Sequence, residues 1–377
     1  MRNIIKSILL ALLVSLSPNF IHASKLAKMA KKSGEIRIKD VSPHKTLNLN
    51  YNYGEMELVF WDKNEIVLKY DECVRASSQK RADEILQQRI AIKSHGGCYF
   101  RVGNADDSSV SFNSKWTVYV PSYISSVAAS NSFGNITVGK GFPGLIRIEV
   151  QNGDVNIPET KAMCVVEVTH GNFYVGNAAY LNMTTKHANG TISFAQTLKV
   201  QAEHADFCKI DKADVMTINS KHSKIKVGNV GQLSSQGSYS TLEVNELSGL
   251  ANIRDMQHST IEMEKFMGKL DATDLSYSKL NITISKFNHT PFIMVTDLDY
   301  TDVKVKLPAS LRTSTYVNGK GSCRSISSGT AKIKSSAPWS SPNGVSMHVF
   351  KNTESFTPNS LIDINNESYG TILIEEY

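Results

Sequence analysis

The sequence predicts an all-β chain wound as a parallel β-helix, or β-solenoid, of about ten coils. Three observations predict it. One five-residue phrase recurs ten times between Gly134 and Val305. Two positions inside the phrase are apolar in every copy, and the residue between them is mostly polar. No segment with helical length and period interrupts this region, which argues against a parallel α/β sheet.

The phrase is a small or turn-forming residue, a variable one, an apolar one, a variable one and a second apolar one. Gly134-Asn135-Ile136-Thr137-Val138 is the first copy; others begin at Gly153, Gly171, Gly190, Asp206, Ser223, Ser240, Ser259, Ser278 and Thr301. The first apolar position holds Ile136, Val155, Phe173, Ile192, Cys208, Ile225, Leu242, Ile261, Leu280 and Val303. The second holds Val138, Ile157, Val175, Phe194, Ile210, Val227, Val244, Met263, Ile282 and Val305. Apolar–polar–apolar alternation places one face of a strand in a core and the other in water. Successive coils about 4.8 Å apart then align like residues in ladders. A single coil cannot offset its own ordering entropy, so the coils must stack to be stable. A second apolar stretch about eight residues before the small position implies a second strand per coil. It comprises Leu145-Ile146, Met163, Leu181, Leu198, Val215, Leu233, Leu250, Leu270 and Phe292.

Residues 1–23 have the form of a signal peptide. Arg2 and Lys6 precede an apolar run over 8–16 that is short for a bilayer span; Pro18 and Ile21-His22-Ala23 follow. An extracytoplasmic protein, periplasmic or on the cell surface, is the expectation, with no transmembrane segment after signal removal. Without Arg2 and Lys6 the chain carries 39 basic and 35 acidic residues, a net charge of +4. Charges so balanced and interspersed give no case for a nucleic-acid partner.

Residues 24–120 form an N-terminal β-rich cap region. Residues 25–32 are polar and basic and suggest a mobile start. Strands are expected over 46–53, 55–61, 65–70, 99–102 and 116–120. A helix is expected over 78–90 with Ala82, Ile85, Leu86 and Ile90 on one side. The solenoid repeats occupy 121–310. Residues 311–377 are a loop-rich C-terminal cap. Within it Gly370-Thr371-Ile372-Leu373-Ile374 repeats the coil phrase and predicts a returning strand that closes the far end.

The five cysteines, Cys73, Cys98, Cys164, Cys208 and Cys323, include no close metal-ligand pair. Cys208 falls on an inward position as a small hydrophobe, and a Cys73–Cys98 disulfide is open. No Ser/His/Asp triad, zinc motif, P-loop or dinucleotide fingerprint is present, so no cofactor and no enzymatic activity are expected.

The opening Tyr53-Gly54-Glu55-Met56-Glu57-Leu58, with residues 61–68, resembles the bacterial adhesin families of β-solenoid domains known as auto-transporter adhesin head domains. Thr117-Val118-Tyr119-Val120-Pro121, Phe133-Gly134-Asn135-Ile136-Thr137-Val138 and Asn152-Gly153-Asp154-Val155-Asn156-Ile157 carry the same resemblance, which spans most of 46–305 and the final strand. It implies a secreted, non-enzymatic β-helical domain, often from Bacteroidetes-type bacteria, and transfers no catalytic residues.

Two columns remain as candidate sites. The residues before the small positions are Phe133, Asn152, His170, Asn189, Ala205, His222, Tyr239, His258, Tyr277 and Tyr300, with Tyr53 and Tyr369 at the ends. Tyr239, His258, Tyr277 and Tyr300 form an aromatic strip suited to stacking on sugars, or to stabilising one another across coils. In this frame His170, His222 and His258 sit on non-adjacent coils and form no shared metal site. Asp255, Asp274 and Asp297 recur four residues before the small position; such a column caps turn amides, offers carboxylates to calcium or pairs carboxylates for glycoside hydrolysis. A non-catalytic binding or structural module for a glycan or an envelope protein follows. A polysaccharide lyase or hydrolase on a β-helix and a ligand-free spacer are the alternatives.

Overall fold

In this computed structural model the described residues are 28–39, 41, 46–91, 93–95, 99–102, 110–285, 292–308, 313–319, 325–328, 333–335, 339–341, 344–351, 361–366 and 371–377. The expected targeting segment 1–23, Cys98, Cys323 and Tyr369 lie outside them. The described residues are 78 % strand, with a single helix among them and a β-solenoid of about nine turns. No helix among the described residues is long and apolar enough to cross a membrane. Two compact units divide it, Met1–Val155 and Asn156–Tyr377.

In the first unit the phrase around Tyr53 is itself a coil. Thr46–Tyr51 pairs in parallel with Ser126–Phe133, and Glu55–Trp61 pairs in parallel with Ile136–Val138, Leu58 facing Val138. The intervening chain is an insertion. Glu65–Ala76 runs antiparallel to Ser111–Pro121, which joins Glu55–Trp61 in parallel. The polar, basic start expected to be mobile is instead the strand Lys28–Lys39, antiparallel to Glu65–Ala76 with Ile36 opposite Leu68. Pairing with a long partner holds it extended despite its lack of apolar alternation.

The helix Gln79–Ile90 begins at Ser78, whose hydroxyl accepts from Arg81 N–H at 3.2 Å. It buries Ala82, Ile85 and Leu86 against Ala30, Val74 and Ala76, with Ile90 packed at the margin. Arg89 is fully buried on the same side. Its Nε donates to Glu72 Oε2 at 2.7 Å, and its Nη atoms donate to the Asn52 and Tyr53 carbonyls at 3.0 and 2.8 Å. Ser114 and Trp116 also donate to the Glu72 carboxylate. This network ties the helix to the corner of the first coil. The same burial, with Glu72 nearby, pushes the Tyr51 phenol well above its ordinary range.

In the second unit the ladders are in register. Ile210, Val227, Val244, Met263, Ile282 and Val305 follow one another on successive coils, as do Cys208, Ile225, Leu242, Ile261, Leu280 and Val303. All are buried. Burial pushes the thiols of Cys164 and Cys208 up to about 12, so both behave as inert small hydrophobes. Over both units, 19 of the 20 phrase positions expected inside are buried. Phe194 is the exception. Ile192 pairs with Ile210 rather than Cys208, so Gly190 takes the first inward place and Phe194 lies outside, opposite Lys212.

The second strand of each coil also needs correction at single positions. Met163, Val215 and Leu250 are exposed and Phe292 is half-buried, while their neighbours Cys164, Met216, Ala251 and Ile293 are inside. A slip of one residue exchanges the two faces of a strand, and two adjacent apolar residues leave that choice open in the sequence.

The returning strand is present. Thr371–Glu376 pairs in parallel with Asp302–Leu307, Ile372 beside Val303 and Ile374 beside Val305. Thr371 Oγ1 donates to Asp302 Oδ1 at 2.6 Å. Leu361–Asn366 pairs likewise with Phe292–Asp299. The stretch expected to be exposed loops contains the strands Thr313–Gly319 and Ser325–Ser328. These pair in parallel with the opposite edges of Leu361–Asn366 and Thr371–Glu376. The later residues are thus interleaved between 292–307 and 313–328. Little apolar alternation marks 313–328, so periodicity alone hid these strands.

Candidate binding surface

Every coil of the second unit must turn a corner after its second strand. The turn is made by one residue in the left-handed region. His170, His187, His204, His222, Tyr239, His258, Tyr277 and Tyr300 hold it, with φ between 47° and 56°. For non-glycine residues this conformation costs roughly 1–2 kcal/mol each. Two interactions offset the cost, and both depend on the coils being in register.

The first is a buried hydroxyl relay. The residue after the last five corners is Ser223, Ser240, Ser259, Ser278 or Thr301, all buried; Gly171, Ala188 and Ala205 follow the first three. Each hydroxyl accepts a backbone N–H from the preceding coil. Ser240 N–H reaches Ser259 Oγ at 3.2 Å, and Ser259 N–H reaches Ser278 Oγ at 3.1 Å. Each also donates to a carbonyl two residues back, as Ser259 Oγ does to Gln257 O at 2.8 Å. The small position is therefore a hydroxyl position here. In the first unit it is glycine, because the backbones approach too closely for a side chain. A Cβ on Gly134 would lie 1.9 Å from the Gly54 carbonyl oxygen. Ser259→Ala orphans the Ser240 N–H in a dry corner and is expected to cost about 1–3 kcal/mol, read as a fall in melting temperature. Unchanged melting would refute the relay.

The second interaction is ring stacking. Repeated left-handed corners hold their Cβ bonds parallel, so the eight side chains form one pile. Centroid separations run from 4.7 Å between Tyr239 and His258 to 5.1 Å between His170 and His187. Interplanar angles run from 2° between His204 and His222 to 15° between His258 and Tyr277. Each aromatic pair contributes about 0.5–1.5 kcal/mol beyond its burial. In the first unit Tyr53, also left-handed, stacks on Phe133 at 4.8 Å.

Tyr239, His258, Tyr277 and Tyr300 are neighbours in this pile. Asn189 and Ala205, expected in the column, are replaced by His187 and His204. The corner lies three residues before Gly190 and two before Asp206, so the repeat frame anchored on those two residues omits both histidines. His170 and His222 therefore belong to an unbroken run of four imidazoles. A signal was present: His170, His187 and His204 are separated by 17 and 17 residues. Asn189 instead accepts from Phe207 N–H at 2.9 Å, and Asn152 donates to Ser132 O at 3.2 Å.

Stacking changes what the strip can do. Interior rings have both faces covered, so a sugar cannot lie on them; only their edges reach water. Tyr239 and Tyr277 are still 53 % and 51 % exposed through those edges. The surface is a row of edge N–H and O–H groups repeating once per coil.

Asp255, Asp274 and Asp297 also occupy left-handed positions, one per coil. Asp297 Oδ2 accepts from Thr273 Oγ1 at 2.9 Å. Among the described residues no group of three or more His, Cys, Asp or Glu could hold a metal ion.

On another wall of the second unit, Glu262, Glu264, Asn281, Thr283, Lys304 and Lys306 line a shallow groove of about 310 Å³. A smaller depression of about 140 Å³ by Lys226, Glu243 and Asn245 adjoins it through Glu262 and Glu264. Lys224 and Lys226 lie 2.6 and 2.9 Å from Glu243 and hold its carboxyl below the usual range.

No protein-family model matches the chain, and no curated protein matches it. A solved structure described as a "putative cell adhesion protein" from Clostridium sporogenes is similar at 9 % identity and a TM-score of 0.22, covering 92 % of this chain and all of that one.

Proposed function

We propose that this chain is a secreted, non-catalytic module of the bacterial cell envelope that binds an extended ligand along its ring-edge ladder, as an adhesin does. A glycan or another surface protein is the ligand class. The observation that carries this is the exposed, in-register row of ring edges. It repeats polar donors at the coil spacing, and a polymer lying along the stack meets the same chemistry at each step.

Tyr239→Phe/Tyr277→Phe tests it, because phenylalanine keeps the stack and removes the hydroxyls. The variant is expected to melt like the parent and to bind its glycan or envelope ligand about tenfold more weakly. Unchanged affinity would move the site off the ladder. A parent that binds neither glycans nor envelope proteins would leave only the spacer reading.

A further inference from the structure

We propose that the run His170–His187–His204–His222 is an acid-gated binding site for a carboxylate-bearing glycan. This rests on reading the ladder as a binding surface and names the ligand for one end of it.

The column needs flat rings, and tyrosine supplies them at Tyr239, Tyr277 and Tyr300. Stacking alone therefore does not require four consecutive histidines. Imidazole adds what tyrosine lacks, a positive charge gained near neutral pH. All four side chains are exposed, and their left-handed backbones, with φ from 49° to 56°, hold the rings in line.

The surroundings are balanced before that charge arrives. Charged residues within three positions of the four histidines are Glu167, Lys186, Glu203, Asp206, Lys221 and Lys224, three of each sign. Glu203 is drawn to Lys186 at 3.3 Å and lies 4.0 Å from His204. Lys224 is engaged by Glu243. Tyr239, stacked on His222, ends the run without adding charge. These six neighbours sum to no net charge. Acidification adds up to four positive charges along three stacking steps of 5.1, 4.8 and 4.9 Å.

Charges so close repel, and an anion set between them relieves the repulsion. A protonated imidazole donates from both nitrogens, and a carboxylate has two accepting oxygens. One carboxylate can therefore bridge the edges of adjacent rings with two charge-assisted hydrogen bonds. A stiff polymer carrying one carboxylate per sugar repeats such bridges from coil to coil. Proton uptake and glycan binding then favour each other reciprocally.

The test is calorimetric titration of the full chain with polygalacturonate oligomers at about pH 5.5 and about pH 7.5, either side of the ordinary imidazole range. Neutral dextran and a single-stranded oligodeoxynucleotide of equal charge are the comparison polymers. Paired buffers of different ionisation enthalpy count the protons taken up. The expected result is affinity for polygalacturonate at least about tenfold tighter at the lower pH, with net proton uptake. Both effects should be lost in His187→Tyr/His204→Tyr, which keeps flat rings in the pile and removes the imidazole charge, so that melting at neutral pH stays near the parent's. Dextran should gain nothing from acid. Equal oligonucleotide affinity would refute the glycan assignment, and a pH effect that survives the double variant would refute the histidine assignment. Polygalacturonate binding that is independent of pH yet lost in Tyr239→Phe/Tyr277→Phe overturns this inference and spares the general reading. No binding of any of the three polymers at either pH overturns this inference, whereas the general reading falls only if envelope proteins and other glycans also fail to bind.

Discussion

Ile225→Asp is expected to unfold the coils on either side of it, whereas Lys226→Ala, one residue along, is expected to leave melting almost unchanged. Ile225 is 1 % exposed and stands between Cys208 and Leu242 in an inward ladder. The substitution removes a buried aliphatic side chain, a loss of about 2–5 kcal/mol. It also places a carboxylate where no partner exists, which adds several kcal/mol or forces its protonation. Because each coil is stable only against its neighbours, the damage should spread, and hydrogen exchange should accelerate across 208–244. Lys226 is half-exposed and shares Glu243 with Lys224, so its removal leaves that carboxylate paired. A surface pair of this kind contributes at most about 1 kcal/mol. Equal melting temperatures for the two variants would contradict the inward–outward assignment.

Arg89→Met should destabilise the first unit by about 3–5 kcal/mol. Both Arg89 and Glu72 have no exposed side-chain surface. Removing the guanidinium leaves the Glu72 carboxylate buried with the Ser114 hydroxyl and Trp116 indole as donors, and takes the Arg89 hydrogen bonds from the Asn52 and Tyr53 carbonyls. Arg89→Met/Glu72→Gln removes the stranded charge and should recover part of the loss. A double variant less stable than the single one would show that the charge itself is not the cost. Melting in two steps, with only the lower step moved, would localise the effect to this unit.

The inward ladders were legible because residues such as Ile261, Leu280 and Val303 combine strict alternation with a steady period. Legibility failed where two signals competed. At Gly190 a turn-forming residue offered a better frame than Ala188, although the corner belongs to His187 and the neighbouring coils set the register. At Leu250-Ala251 both residues are apolar, and only packing decides which turns inward. In the sequence the hydroxyl relay shows only as smallness, since a serine's partners on the next coil are invisible in one dimension. Arg89 was hidden for a related reason: a charged residue in a helix ordinarily implies water, and its partner Glu72 lies on a separate strand. The aromatic strip was visible at Tyr239, His258, Tyr277 and Tyr300. Its covered faces were not, because they follow from the left-handed backbone common to all eight corners.

The threading of Leu361–Asn366 and Thr371–Glu376 between the earlier strands Phe292–Asp299 and Asp302–Leu307 and the strands Thr313–Gly319 and Ser325–Ser328 sets an order of assembly. Earlier coils can be laid down as the chain emerges, each on a finished neighbour. The antiparallel pair of Thr313–Gly319 with Gly344–Lys351 can also form early. Its docking must wait, however, because the layer it rests on is synthesised afterwards. Until that layer arrives, the growing edge stays open to pairing with the matching edge of another molecule.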